Sequence, residues 1–166
     1  IDRNPLSFLR VIRSDAELPE LPANDGRVYA LAQKNLEQML SNGMLREDAD
    51  PSFYIYRVID GSRTYTGLVA CLSVDDYIEG RIRRHELTRY DKEADRTRHI
   101  DVVNANTGLV FLLYQDPGSI CPYLEELVPA SPKVAEVAAN NRSIHQIFPI
   151  TDAAEQKRLQ NLFAGV

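Results

Sequence analysis

The sequence predicts an α+β fold with a mixed sheet and flanking helices. Some segments place apolar residues at helical spacing, and others have the aromatic and β-branched runs typical of strands. The two kinds do not alternate regularly, as they would in a parallel βαβ fold. The length of 166 residues is enough to bury a core without disulfides or a structural metal. We therefore expect a single domain over residues 1–166.

The first quarter of the chain predicts a strand, a loop and a helix. Residues 6–12 form a short apolar run with strand character, and residues 15–25 carry the prolines and acids of an exposed loop. A helix is expected next, capped by Asn24 or Asp25 and ended by Gly43. Its apolar face comprises Val28, Leu31, Leu36, Met39 and Leu40.

A β-hairpin and a buried strand form the predicted sheet. Residues 53–74 contain an aromatic strand, the turn signal Asp60-Gly61 and a return strand over residues 64–74. Residues 108–115, GLVFLLYQ, form the continuous apolar run typical of a buried central strand. We expect Cys71, in the return strand, to be a buried thiol.

The last third of the chain predicts helices around one more strand. Short helices are expected over residues 122–128 and 132–139, followed by a strand over residues 143–150. Asp152 opens a capping-box pattern that predicts a helix to Phe163. His145 lies between apolar neighbours in the predicted strand and is expected to be structural.

Charge is distributed unevenly along the chain. Residues 81–101 carry seven basic and five acidic side chains, hence +2, whereas the other 145 residues carry 12 basic and 19 acidic, hence −7. The overall charge of −5 argues against general affinity for nucleic acid or for an anionic membrane. The cationic segment, which also holds two of the three histidines, is therefore the most informative part of the sequence.

Two rows of like charge are expected on a helix that begins near Asp91. Asp91, Asp95 and His99 share one face, and this row fits a divalent cation such as magnesium. Lys92 and Arg96 share the adjacent face, which fits a phosphate or carboxylate. The alternative is a solvated helix whose acids complement the helix dipole.

Familiar catalytic motifs are missing from the sequence. It contains no P-loop, no dinucleotide-binding glycine fingerprint, no HExxH, no CxxC and no GxSxG. It also has no run of 18 apolar residues and no signal-peptide pattern. We expect a cytoplasmic protein with no membrane partner.

One string in the cationic segment resembles a known family. Residues 85–89, HELTR, followed by DKE at 91–93 and DRTRH at 95–99, resemble the bacterial and archaeal family DUF1015, whose function is unknown. Supporting matches include residues 66–70, TGLVA, and residues 108–111, GLVF. The resemblance implies a longer protein with an upstream Pro-Tyr-Asp-Val and a downstream Asp-Gly-His-His-Arg motif. Since the chain begins with Ile1 rather than Met, we expect it to be a fragment of that longer protein.

The resemblance also suggests a function. The family has been compared with ParB-like and sulfiredoxin-like proteins, which include nucleotide-hydrolysing partition proteins and a free-serine kinase. We therefore expect a site for a phosphorylated small molecule or nucleotide, with phosphoryl transfer or hydrolysis as the reaction of the full-length protein. The alternatives are a structural or interaction module, whose charged segment docks the missing C-terminal part, and a ParB-like nucleic-acid-binding protein.

Candidate site residues follow from the chemistry of the side chains. The acid/base candidates are His85, Glu86 and His99. The phosphate-binding candidates are Arg89, Lys92, Arg96 and Arg98. The candidate ligands of a divalent cation are Asp91 and Asp95.

Overall fold

The structure of the chain, a computed structural model, describes residues 4–84 and 89–166. Within them, in chain order, lie α1 (Leu9–Ile12), a 3-10 turn (Ser14–Glu17), α2 (Gly26–Ser41), β1 (Phe53–Asp60), β2 (Arg63–Val69), α3 (Val74–Ile78), α4 (Tyr90–Val103), α5 (Ile120–Ala130), β3 (Ala135–Ala138), β4 (Ile144–Ile150) and α6 (Ala153–Phe163). Helices flank a sheet that contains a β-hairpin, so the α+β prediction is confirmed. No helix in these ranges is long and apolar enough to cross a membrane.

The chain divides into two compact units. The helical unit comprises residues 1–47 and 83–111, and the sheet unit comprises residues 48–82 and 112–166. The expectation of a single domain over residues 1–166 stays a prediction.

The helical unit is built on α2. Asp25 caps this helix because its carboxylate accepts a hydrogen bond from the Arg27 backbone N–H at 2.9 Å. Gly43 follows the helix end with a φ of +76°, a conformation that glycine adopts without steric cost. Both ends of the predicted helix are therefore confirmed. The buried apolar residues of the unit are Val11, Val28, Tyr29, Ala32, Met39 and Val103.

The sheet unit holds four antiparallel strands in the order β2-β1-β4-β3. The β1–β2 hairpin closes where Asp60 pairs with Arg63. Gly61 follows Asp60 with a φ of +58°, which suits a two-residue hairpin turn. Helices α5 and α6 cover one face of the sheet. The buried core there comprises Ile55, Ile120, Tyr123, Leu124, Leu127, Phe148, Ile150 and Leu159.

Several details of the prediction are wrong. The sheet is antiparallel throughout the described residues rather than mixed. The apolar run 108–115 is not a buried strand, because it forms no regular element and Leu109, Phe111 and Leu113 are each at least three-quarters exposed. The run carries apolar side chains without the pairing partners that a buried strand requires.

Three shorter segments also differ from expectation. The predicted strand over residues 6–12 contains helix α1 instead, since so short an apolar run does not distinguish the two conformations. The return strand ends at Val69 rather than at 74, which leaves Cys71 exposed rather than buried. The helix expected over residues 132–139 contains the edge strand β3, whose pairing with β4 overrides local preference.

Candidate functional site

Helix α4 carries most of the candidate residues, and its limits have local causes. Asp91 and Glu93 lie in the first turn, where carboxylates complement the positive end of the helix dipole. The helix ends at Asn104, which adopts the left-handed conformation with a φ of +53°. The predicted helix is therefore confirmed, and it packs against α2.

Asp95 is held by a tyrosine of α2. The Tyr29 hydroxyl donates a hydrogen bond to the Asp95 carboxylate at 2.6 Å. Burial, together with this bond, raises the pKa of Tyr29 to about 12. This hydrogen bond joins α4 to α2, and it occupies one oxygen of the Asp95 carboxylate.

Arg98 lies beside the same tyrosine. Its guanidinium carbon is 5.0 Å from the centre of the Tyr29 ring, a cation–π arrangement. A Cβ on Gly26 would lie 3.3 Å from the Arg98 Nη2, so the glycine leaves room for the guanidinium at the start of α2. The positive charge of Arg98 also contributes to the lowered pKa of Asp25, whose main cause is the Arg27 side chain.

His99 is buried in the helical unit. Its Nε2 lies 3.0 Å from the backbone oxygen of Val11, and a carbonyl can only accept, so Nε2 carries the proton. The ring meets that of Tyr29 edge-on, with centroids 6.4 Å apart. His99 therefore ties α4 to α1, and burial separates it from any ligand in solvent.

Asp91, Asp95 and His99, the row expected to hold a divalent cation, lie in three different environments. Asp91 is exposed and forms a two-point ion pair with Arg89, at 2.7 and 3.1 Å. Asp95 is half-buried against Tyr29, and His99 is buried. In the described parts of the chain, no group of three or more His, Cys, Asp or Glu side chains is placed to hold a metal ion.

The second row is exposed to solvent. Lys92 and Arg96 are both exposed, and neither side chain has a hydrogen bond or ion pair within residues 4–84 and 89–166. Arg81, by contrast, pairs with Asp76 and Glu79. The structure therefore leaves Lys92 and Arg96 as the phosphate-binding candidates without a protein partner in these ranges.

A shallow concavity of about 520 Å³ follows another face of α4. Glu93, Arg98 and Asp101 supply its charges, and its other lining residues are Tyr90, Ala94 and Thr97. Its mixed charge distinguishes it from the cationic row of Lys92 and Arg96.

Two expectations lie outside what the structure describes, and one residue was missed. His85 and Glu86 fall in residues 85–88, outside the described ranges. Tyr29 was not singled out from the sequence, because it lies 66 positions from Asp95 and no local pattern links the two. Tyr29 follows Val28 on the buried face of α2, and this position next to a predicted core residue was the signal that could have indicated its burial.

Comparison with known families agrees with the motifs in the cationic segment. A family model described as "Protein of unknown function (DUF1015)" matches residues 1–166. The chain therefore belongs to the DUF1015 family, which confirms the resemblance. No curated protein and no solved structure matches it.

Proposed function

We propose that α4 and its flanking residues contribute a binding site for a phosphorylated small molecule or a nucleotide. The observation that supports this most directly is the exposed pair Lys92 and Arg96, which has no protein partner within the described ranges. Side chains at i and i+4 are neighbours on a helix surface, so both can contact one anion. Arg96 can bind a phosphate through two parallel hydrogen bonds, and Lys92 adds a compact positive charge.

The energetics favour an outside partner for this pair. Two like charges at i and i+4 destabilise a helix by about 0.2–0.5 kcal/mol. Three other cations of the segment have partners, since Arg81 pairs with Asp76, Arg89 pairs with Asp91 and Arg98 lies on Tyr29. A bound phosphate would turn the repulsion between Lys92 and Arg96 into two attractive contacts.

Phosphoryl transfer or hydrolysis is the reaction class that we propose for the full-length protein. His85 and Glu86 are the acid/base candidates, while His99 has a positioning role because its proton is committed to Val11. Carboxylate oxygens suit magnesium, but both oxygens of Asp91 accept from Arg89 and one oxygen of Asp95 accepts from Tyr29. We therefore assign any divalent cation to the phosphate-bound ligand rather than to a preformed cage.

Calorimetry tests this proposal with ADP, ATP and phosphoserine, each with and without magnesium. The double variant Lys92→Gln with Arg96→Gln should weaken binding of the phosphorylated ligand by about tenfold, because solvent-exposed charged contacts contribute about 0.2–1 kcal/mol each. The matched control is Lys34→Gln with Arg46→Gln, which removes the same charge from exposed positions elsewhere and should leave affinity unchanged. Absence of binding to all three ligands by the folded protein would refute the proposal.

An interaction module is the second candidate. The observation that favours it is the exposed apolar run, in which Leu109, Val110, Phe111 and Leu113 are each at least three-quarters exposed. If the charged segment instead serves only to dock another part of the protein, Arg96→Ala should lower stability of the full-length protein and leave ligand binding unchanged.

A ParB-like nucleic-acid role ranks lower because the chain carries a charge of −5. A cytoplasmic location is part of the proposal, on the absence of any sequence pattern that requires oxidised cysteines.

A further inference from the structure

The sheet has a second face, opposite the helices α5 and α6. Alternate residues of a strand point to opposite faces, so Tyr56 and Val58 lie on the side away from the buried Ile55. The strand register places Gly67 beside Tyr56 on β2, and His145 beside Val58 on β4. Tyr56 and Tyr65 on this face are 38% and 54% exposed.

Tyr56 and His145 form a flat pair of rings on this face. The Tyr56 hydroxyl lies 2.6 Å from His145 Nδ1, the ring planes differ by 27°, and the centroids are 5.9 Å apart. The ring planes are close to parallel, and the centroid separation excludes full face-to-face overlap. Tyr56 and His145 together, called the plate below, therefore form an aromatic group on this face of the sheet.

A chain of hydrogen bonds fixes the orientation of the plate. Ser143 is buried, and its hydroxyl donates to the Asn141 side-chain oxygen at 2.6 Å. His145 Nε2 must then donate to the Ser143 oxygen, 2.8 Å away, which leaves Nδ1 to accept from the Tyr56 hydroxyl. Each group in this network has a fixed partner, and the network orients both rings.

Two arginines lie in the turns at one end of the sheet, and Tyr56 lies in the middle of β1, four positions before Asp60. Arg63 is at the hairpin turn, where it faces Asp60 in the register, and Arg142 is in the turn between β3 and β4. Both are exposed, and neither has an ion pair in the described parts of the chain. Arg142 has a φ of +71°, an uncommon conformation for a residue with a side chain. With Asp60, this end of the sheet carries a charge of +1.

We propose that this face of the sheet unit binds a mononucleotide, with the base stacked on the Tyr56–His145 plate and the phosphates held by Arg63 and Arg142. Aromatic rings on a sheet are stacking surfaces for bases, and guanidinium groups match phosphate geometry. A plate of two rings accommodates one base, and the acidic body repels a long polyanion. The occupant is therefore a single nucleotide rather than a nucleic-acid strand. This inference is independent of the α4 site.

Calorimetry of the whole chain separates the contributions of base and phosphate. The ligands are ATP, adenosine, tripolyphosphate and a twelve-nucleotide single-stranded DNA. ATP should bind about tenfold more tightly than adenosine or tripolyphosphate, because only ATP makes both kinds of contact. Equal binding of tripolyphosphate and ATP would overturn the inference, and so would steeply salt-dependent binding of the DNA that is tighter than binding of ATP.

Variants locate the binding on the sheet. Tyr56→Leu removes the larger ring of the plate and should weaken ATP binding by about tenfold. Arg63→Gln with Arg142→Gln changes only exposed side chains, so it tests the phosphate contacts even if Tyr56→Leu disturbs folding. Arg46→Gln, at an exposed position of the helical unit, is the matched control.

The outcome distinguishes the two proposed sites. ATP binding that is lost in Lys92→Gln with Arg96→Gln but unchanged in both sheet variants would support the α4 site and overturn the sheet site. Absence of ATP binding at millimolar concentration would overturn the sheet site as well. Loss of affinity in the sheet variants alone supports the inference.

Discussion

Different kinds of contact stabilise the helical unit and the sheet unit. The core cluster of the sheet unit is formed by hydrophobic residues between one face of the sheet and helices α5 and α6. The helical unit has a smaller apolar cluster and buries polar side chains beside it, namely Ser14, Asn35 and His99. Its packing therefore depends on specific hydrogen bonds, whereas that of the sheet unit depends mainly on apolar burial.

Asn35 illustrates how the helical unit is held together. Its amide nitrogen donates to the backbone oxygen of Arg10 at 2.8 Å and lies 3.2 Å from the Glu17 carboxylate. Its side-chain oxygen accepts from the Arg10 guanidinium at 3.2 Å, and Arg10 pairs with Glu17 at 3.1 Å. Each of the three side chains contacts the other two, so removing any one takes a hydrogen-bond partner from both of the others.

The largest effect is expected in the core of the sheet unit. Leu124 is fully buried, so Leu124→Ala removes apolar contacts and leaves a cavity that costs about 2–5 kcal/mol. Urea denaturation measures the loss of unfolding free energy. Leu109→Ala, at a residue that is 75% exposed, is the control and should change stability by less than about 0.5 kcal/mol. Equal losses in the two variants would contradict the exposed placement of residues 108–115.

A smaller loss is expected when the buried histidine of the helical unit is replaced. His99→Leu fills the site with an apolar side chain but leaves the Val11 carbonyl without its donor. This change should lower the free energy of unfolding by about 1–3 kcal/mol. His99→Gln supplies an amide donor and should lose less stability than His99→Leu in the same denaturation experiment. If the two variants are equally stable, the hydrogen bond to Val11 does not stabilise the unit.

The smallest effect concerns the Tyr29–Asp95 bond and depends on pH. Tyr29→Phe should cost about 1 kcal/mol at neutral pH, the net value of one hydrogen bond. Because folding raises the pKa of Tyr29 from its ordinary 10 to about 12, the wild type should lose stability as pH rises through that window.

Denaturation curves between pH 9 and 12 check this prediction. The stability gap between the wild type and Tyr29→Phe should narrow above pH 10, since the variant has no phenol to ionise at this position. Tyr90→Phe, at an exposed position, should follow the wild type throughout. A gap that stays constant to pH 12 would show that the Tyr29 phenol titrates normally.

Local signals in the sequence determined much of the framework. The cap at Asp25, the glycine at 43 and the turn at Asp60-Gly61 each act on residues a few positions away, so they are readable without the fold. The charges of α4 likewise indicated both the helix and its exposed cationic pair. The family was identifiable for the same reason, because its motifs are contiguous strings of residues.

The tertiary structure alone decided which side chains are buried and which are brought together. The run 108–115 has the composition of a core strand, yet burial depends on partners elsewhere in the chain, and the structure leaves it exposed. The pairing of Tyr29 with Asp95 spans 66 positions, and that of Tyr56 with His145 spans 89. Contacts over such separations depend on how helices pack and strands pair, which no local pattern encodes. For that reason the sequence indicated the cationic row of α4, whereas the aromatic plate of the sheet emerged only from the fold.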